Sequence, residues 1–208
     1  MFRIGVLVSG GGTNLQAIID NINNNIIKDA EIVAVVSNKE DAYALKRAED
    51  NNIDNICFKI KDFENKKAFE QAIIKYFAEK QVDLVVLAGF MVIISNDFIK
   101  HYENKMINIH PSLIPAFAGE GYYGLKVHEG ALKRGVKLTG ASVHFVTEEA
   151  DAGPIIIQKA VQVLDDDTPE ILQKRVMVEA EWEILTDAIN LIKDNKIKIV
   201  DNYVKFIK

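Results

Sequence analysis

The chain has 208 residues, 49% of them hydrophobic and 26% charged, with a formal net charge of −5. That much apolar material excludes a disordered chain, and the acidic balance argues against nucleic acid as the main partner, since phosphate binding favours a basic excess. A single cysteine, Cys57, excludes an intramolecular disulfide and points to a reducing compartment.

From the N-terminus, residues 2–9 (FRIGVLVS) form a short β-branched run that ends in glycines. It is too short for a signal peptide, and no later run approaches the roughly 18 apolar residues of a membrane span, so a cytoplasmic protein with no membrane partner is expected. Residues 14–26 carry apolar side chains at helical spacing. Strand and helix then alternate: strand 31–36, helix 42–51, strand 55–58, helix 66–80, strand 84–88, helix 95–102 and strand 106–110. Alternation with continuously apolar strands predicts an α/β fold, an open Rossmann-like and mostly parallel sheet with helices on both faces.

The rhythm changes in the C-terminal third. Strands 138–146 (LTGASVHFV) and 154–163 (PIIIQKAVQV) are separated only by TEEADAG, which predicts antiparallel strands rather than a crossover. DDTPE (166–170) starts a helix, with Thr168 as N-cap and Pro169 in the first turn, and that helix is expected to run to about Lys193. KIKIVDNYVKF reads as a hairpin turning at Asp201 and Asn202. No repeat or linker interrupts the chain, so one domain over 1–208 is expected.

SGGGTNLQAI (9–18) follows a strand and opens a helix. Glycines let a ligand approach the backbone closely, and the helix start offers free N–H groups and partial positive charge. Thr13 or Asn14 is expected to cap the helix or bond an anion directly. The pattern is neither a Walker loop nor G-x-G-x-x-G, so a small phosphorylated metabolite fits better than ATP or NAD. The plainer alternative is a tight strand-to-helix turn.

Asn108 and His110 lie two apart in a strand and so project to one side, at the C-terminal end where open α/β sheets place their ligands. Pro111 ends the ladder and Pro115 stiffens the loop beyond it. EEADAGP supplies Glu148, Glu149 and Asp151. Asp151 is either a turn residue or a carboxylate that pairs with His110, raises its pKa and favours imidazolium. His144 is a supporting residue, a wall of a cofactor pocket or a core histidine. His101 and His128 read as helix-surface residues, and Cys57 as more buried than nucleophilic. No His, Cys or acidic set has metal spacing, so no metal is expected. Asn, imidazolium and Asp without a Ser or Cys nucleophile suit stabilisation of a developing oxyanion, with the nucleophile coming from a substrate. The chemistry implied is direct acyl transfer between two small molecules.

VLVSGGGTNLQAIID, VDLVVLAGFM, INIHPSLIP and SVHFVTEEADAGPIIIQKAV resemble, in order, stretches of the folate-dependent phosphoribosylglycinamide formyltransferases of purine synthesis. The resemblance covers nearly the whole chain. HPSL-P and D-x-GP are shared with other folate formyltransferases, whereas the glycine loop running into TNLQAI is more specific. It implies formyl transfer from 10-formyltetrahydrofolate to a glycinamide amine by attack through a tetrahedral intermediate. Asn108, His110 and Asp151 would be catalytic. Gly11, Gly12, Thr13 and Asn14 would hold the phosphate region, and Glu181, with Glu179 as the alternative register, would meet the glycinamide substrate. Lys66, Phe90, Met91, Val92, Ile93, Ile94, Asn108 and His144 would contact the folate co-substrate. It also implies small-molecule partners only and a monomer or weak homodimer.

Three departures stand out: Val92 where an arginine is common, Trp182 where a histidine is usual, and a longer loop, AGEGYYGLK (118–126). A methionyl-tRNA formyltransferase is expected to add a tRNA-binding domain, and a formyltetrahydrofolate hydrolase to add a preceding regulatory domain. A non-catalytic sugar-phosphate-binding module would need the glycine loop but not Asn108, His110 and Asp151 together. A CheY-like signalling domain would need an acidic cluster near the N-terminus.

Overall fold

The computed structural model describes residues 1–207. Seven strands form a mixed, mostly parallel sheet and two more form a separate hairpin. The chain divides into two compact units, Met1–Ile107 and the remainder from Asn108.

In the first unit, β1 (Phe2–Val8), β2 (Ala30–Ser37), β3 (Asn55–Cys57) and β4 (Leu84–Leu87) run in the order β3-β2-β1-β4, all parallel. Helices α1 (Thr13–Asn23), α2 (Tyr43–Asp50), α3 (Lys66–Glu79) and α4 (Asn96–His101) connect and follow them. Ile4, Val6, Val35, Val36, Val85 and Val86 are fully buried, as continuous apolar strands covered on both faces must be. Phe69 and Phe77 from α3 and Phe98 from α4 are fully buried too, each worth roughly 1.5–3 kcal/mol relative to exposure. α1 stops three residues earlier than its periodicity suggests. Asn25 takes φ +57°, and the Asn25 and Ile26 amides turn back onto the carbonyls of Ile22 and Asn21, a Schellman closure that a left-handed Asn permits.

The second unit takes over within β5 (Met106–His110), with β6 (Leu138–Phe145) and β7 (Ile155–Gln162) in the order β5-β6-β7 and β6 antiparallel to β7. β6 is buried along nearly its whole length, whereas β7 alternates as an edge strand does. The antiparallel C-terminal third is therefore as expected. Thr168 caps α6 (Pro169–Val176) by accepting from the Ile171 amide, with Pro169 in the first turn. The single helix expected to about Lys193 carries an irregularity: a π turn, Met177–Glu181, separates α6 from α7 (Trp182–Lys193). The terminal hairpin, β8 (Ile197–Val200) and β9 (Tyr203–Phe206), turns at Asp201 and Asn202, both at positive φ, as a primed two-residue turn requires.

The sequence pattern sets no bounds for the helix on which His128 is expected. It is α5 (Leu125–Arg134), whose first two residues, Leu125 and Lys126, fall in the segment read as a loop over 118–126. Its stop signals are ordinary: Lys133 and Arg134 in the last turn and a left-handed Gly135 after it. His128, expected on a helix surface, is instead fully buried on α5. His101 is exposed at the end of α4, and Cys57 is half-buried with burial raising its thiol pKa. Among the described residues no helix is long and apolar enough to cross a membrane.

Candidate active site

Two groups of residues carry chemistry, one in each unit. In the first unit, β1 ends at the glycine loop and α1 begins from it. Gly12 is the N-cap, in the left-handed region at φ 70°, and no side chain caps the helix. Of the two roles expected for Thr13 or Asn14, capping the helix or bonding an anion directly, the capping role is corrected. A Cβ on Gly12 would lie 2.6 Å from the Ala44 Cβ of α2, so both the backbone angle and the close approach demand glycine. Gly11, Thr13 and Asn14 follow the strand end in the same loop.

Residues 89–95 form a second loop, after β4. Met91 and Ile93 expose their side chains to solvent, and Phe90, Val92 and Ile94 are half-buried. The Met91 amide donates to Ser9 Oγ at 2.8 Å, and Ser9 Oγ donates to Asn38 at 2.5 Å. At the far end, the Ser95 amide and hydroxyl both donate to the buried Glu70 carboxylate of α3. Lys66 Nζ lies 3.8 Å from Glu70, so its charge sits by the carboxylate that fastens this loop.

In the second unit, β5 presents Asn108 and His110 on one side. Asp151 comes from the β6–β7 connection at φ +55°, a conformation Asp tolerates better than most residues. Two residues on, a Cβ at Gly153 would lie 1.8 Å from the Phe145 carbonyl oxygen, so the turn closes only with glycine there. The Asp151 carboxylate is the hub of the group. Oδ2 accepts from the Gly119 amide at 2.9 Å and lies 3.4 Å from His110 Nδ1. Oδ1 is 3.3 Å from Asn108 Nδ2 and 3.5 Å from His144 Nε2. Burial raises the Asp151 pKa, but the neighbouring His144 and His110 imidazoles and the hydrogen bond from the Gly119 amide outweigh it and hold the carboxyl below its usual range.

His110 is buried, and its Nε2–H donates to the Phe117 carbonyl at 2.8 Å. Imidazolium satisfies both ring nitrogens at once, because one faces a carbonyl and the other a carboxylate. Burial nevertheless holds the His110 pKa below the ordinary histidine value, against Asp151 and the Phe117 carbonyl. Asp151 does raise this pKa, as expected, but desolvation outweighs it, so the net shift is downward and the expectation that imidazolium is favoured is corrected. His144 is buried on β6. Its Nδ1–H donates to the Phe145 carbonyl at 2.9 Å, which leaves Nε2 to accept from Asn108 Nδ2 at 3.2 Å. Asn108 thus directs its amide hydrogens toward His144 and Asp151. Ser142 on β6 and Gln158 on β7 fasten the loop after His110, through the Ser112 carbonyl and both backbone groups of Ile114.

Glu148 and Glu149 are exposed, apart from this group. Glu181 is 7% exposed at the end of the π turn, which packs against β6 and β7. π turns recur at functional sites because the extra residue re-aims a side chain. Beside it, Trp182 buries its indole Nε1 with no hydrogen-bond partner among the described residues. Also among the described residues, no group of three or more His, Cys, Asp or Glu is placed to hold a metal ion.

A model of the formyl transferase family matches residues 2–189. The chain belongs to the formyl transferase family. A phosphoribosylglycinamide formyltransferase from Escherichia coli strain K12 is 41% identical over 200 residues, covering 96% of this chain and 91% of its own length. The trifunctional purine biosynthetic protein adenosine-3 of Bos taurus is 42% identical over 200 residues, and this chain spans 19% of that protein's length. Among solved structures, glycinamide ribonucleotide transformylase 1 from Symbiobacterium toebii superposes with a TM-score of 0.93 at 40% identity, covering 100% of this chain and 95% of that one.

Proposed function

We propose that the chain transfers the formyl group of 10-formyltetrahydrofolate to the amine of phosphoribosylglycinamide, a cytoplasmic step of purine synthesis. The observation that carries this reading is Asp151 reaching Asn108, His110 and His144 together in a formyl transferase family member. A binding module alone needs no such group.

The substrate amine attacks the formyl carbon, so an N–C bond forms and negative charge develops on the formyl oxygen. Asn108 and His110 are the donors for that oxygen, and the folate nitrogen leaves with a proton that His110 relays. Asp151 orients the imidazole and stabilises its charged form. Gly11, Gly12, Thr13 and Asn14 hold the phosphate, and Glu181 receives the glycinamide amine. The apolar loop with Phe90, Met91, Val92, Ile93 and Ile94 suits a flat heteroaromatic ring, with Lys66 for a carboxylate of the folate tail. Val92 offers that tail no charge. The partners are small molecules, and the chain acts as a monomer or weak homodimer.

The test is steady-state turnover of purified protein with 10-formyltetrahydrofolate, with and without the ribonucleotide. Folate product that forms only with the ribonucleotide is the expected result. Equal product without it would make water the acceptor and the protein a hydrolase. No product with either would leave a binding role.

A further inference from the structure

We infer that Arg47, on α2, is a positioning residue for phosphate binding by the glycine loop. The inference rests on the proposed function and assigns a role to a side chain outside the loop itself.

Two carbonyls of the loop are pinned to α2. The Ala44 amide donates to the Gly10 carbonyl at 3.1 Å, and Arg47 Nε donates to the Gly11 carbonyl at 2.8 Å. In a trans peptide the carbonyl and the following N–H point in opposite directions. With both carbonyls turned to α2, the Gly11 and Gly12 amides turn away from it, side by side. Successive amides aimed alike form a concave donor surface for an anion. The start of α1 continues that surface, because Gly12 is its N-cap and no side chain makes a capping hydrogen bond there.

Arg47 is itself held on three sides. Its Nη1 donates to Gln16 Oε1 at 3.0 Å, tying α2 to the first turns of α1, and its guanidinium lies 4.9 Å over the Tyr43 ring. The Gly12 backbone packs against Ala44, with the Arg47 side chain next to it. One side chain therefore fixes the peptide plane that sets the Gly12 amide, and fixes the helix that supplies the next donors. A planar, multidentate cation does this where an ammonium makes only one of the two bonds well.

The readout is discrimination by kcat/KM between the ribonucleotide and the same glycinamide riboside lacking its 5′-phosphate, for wild type, Arg47→Met and Arg47→Lys. Wild type is expected to prefer the phosphorylated substrate strongly. Arg47→Met should lower that preference about tenfold to a hundredfold, the worth of one hydrogen bond to a charged group, with Arg47→Lys between them and the KM for folate unmoved. Unchanged preference in Arg47→Met would overturn the inference. Equal loss toward both substrates would overturn it too, since Arg47 would then serve the fold. No preference in wild type would instead sink the assignment of phosphate to the glycine loop.

Discussion

The buried imidazole of His128 makes the fold sensitive to acid. It sits on α5, fully buried, with neither ring nitrogen bonded among the described residues. Burial, with a smaller contribution from His110, pushes its pKa down to about 4 from 6.5. An unfolded chain binds the proton near 6.5 and the folded chain does not until near 4, so folding becomes less favourable as pH falls through that window and is unaffected above it. Integrated between pH 7 and pH 5, this one group removes about 2 kcal/mol of stability. His128→Leu keeps similar volume and removes the titration. Urea unfolding of both proteins at pH 7 and pH 5 gives the comparison, since every other titrating group is common to the two. The variant's stability relative to wild type should rise by about 2 kcal/mol on acidification. A relative stability that is the same at both pH values would refute the reasoning, because it would mean that the folded protein takes up that proton as easily as the unfolded chain.

Other substitutions probe the two groups separately. His110→Ala and Asp151→Asn should each lower kcat by about 10²–10⁴ with the far-UV spectrum retained, the range for losing a positioned proton-transfer group; near-normal turnover in both would remove the mechanism. Gly153→Ala drives a Cβ to within 1.8 Å of the Phe145 carbonyl oxygen, so it should cost about 1–3 kcal/mol in thermal unfolding and lower turnover by shifting the Asp151 turn. Ser95→Ala removes the hydroxyl that bonds Glu70 and caps α4. It should cost about 1 kcal/mol and raise the KM for folate more than that for the ribonucleotide.

Much of the fold was legible because its signals are local. Continuous apolar strands, the Thr168–Pro169 helix start and the Asp-Asn turn at 201–202 each require only neighbouring residues. The pairing of Asn108 with His110 was equally local, since strand geometry places residues two apart on one side. What escaped the reading depends on distant contacts. The α5 segment opens after a glycine-rich stretch and has few apolar positions, so its bounds show mainly in the stop at Gly135. His128 looks like a surface residue until tertiary packing covers it. The π turn has no periodicity of its own inside a helical run. Arg47 lies far along the chain from the glycines it fixes, and a lone arginine on a short helix carries no motif. The protonation of His110 turned on a balance of magnitudes: a neighbouring carboxylate reads as a raised pKa, but the depth of burial decides the sign.

Under the proposed function, the same geometry would favour a transition state over a bound substrate. The hydrogens of Asn108 face His144 and Asp151, and His110 Nε2–H faces the Phe117 carbonyl. Phe117 adopts φ +51°, unusual for a bulky side chain, so the carbonyl that occupies His110 belongs to a strained residue. A neutral formyl oxygen gains little by replacing that carbonyl, because one neutral acceptor is exchanged for another. An oxyanion gains more, since hydrogen bonds to a charged acceptor are roughly twice as strong. In the proposed reaction the internal bonds would act against ground-state binding at His110 and yield as charge develops, the kind of differential stabilisation that raises kcat rather than merely lowering KM.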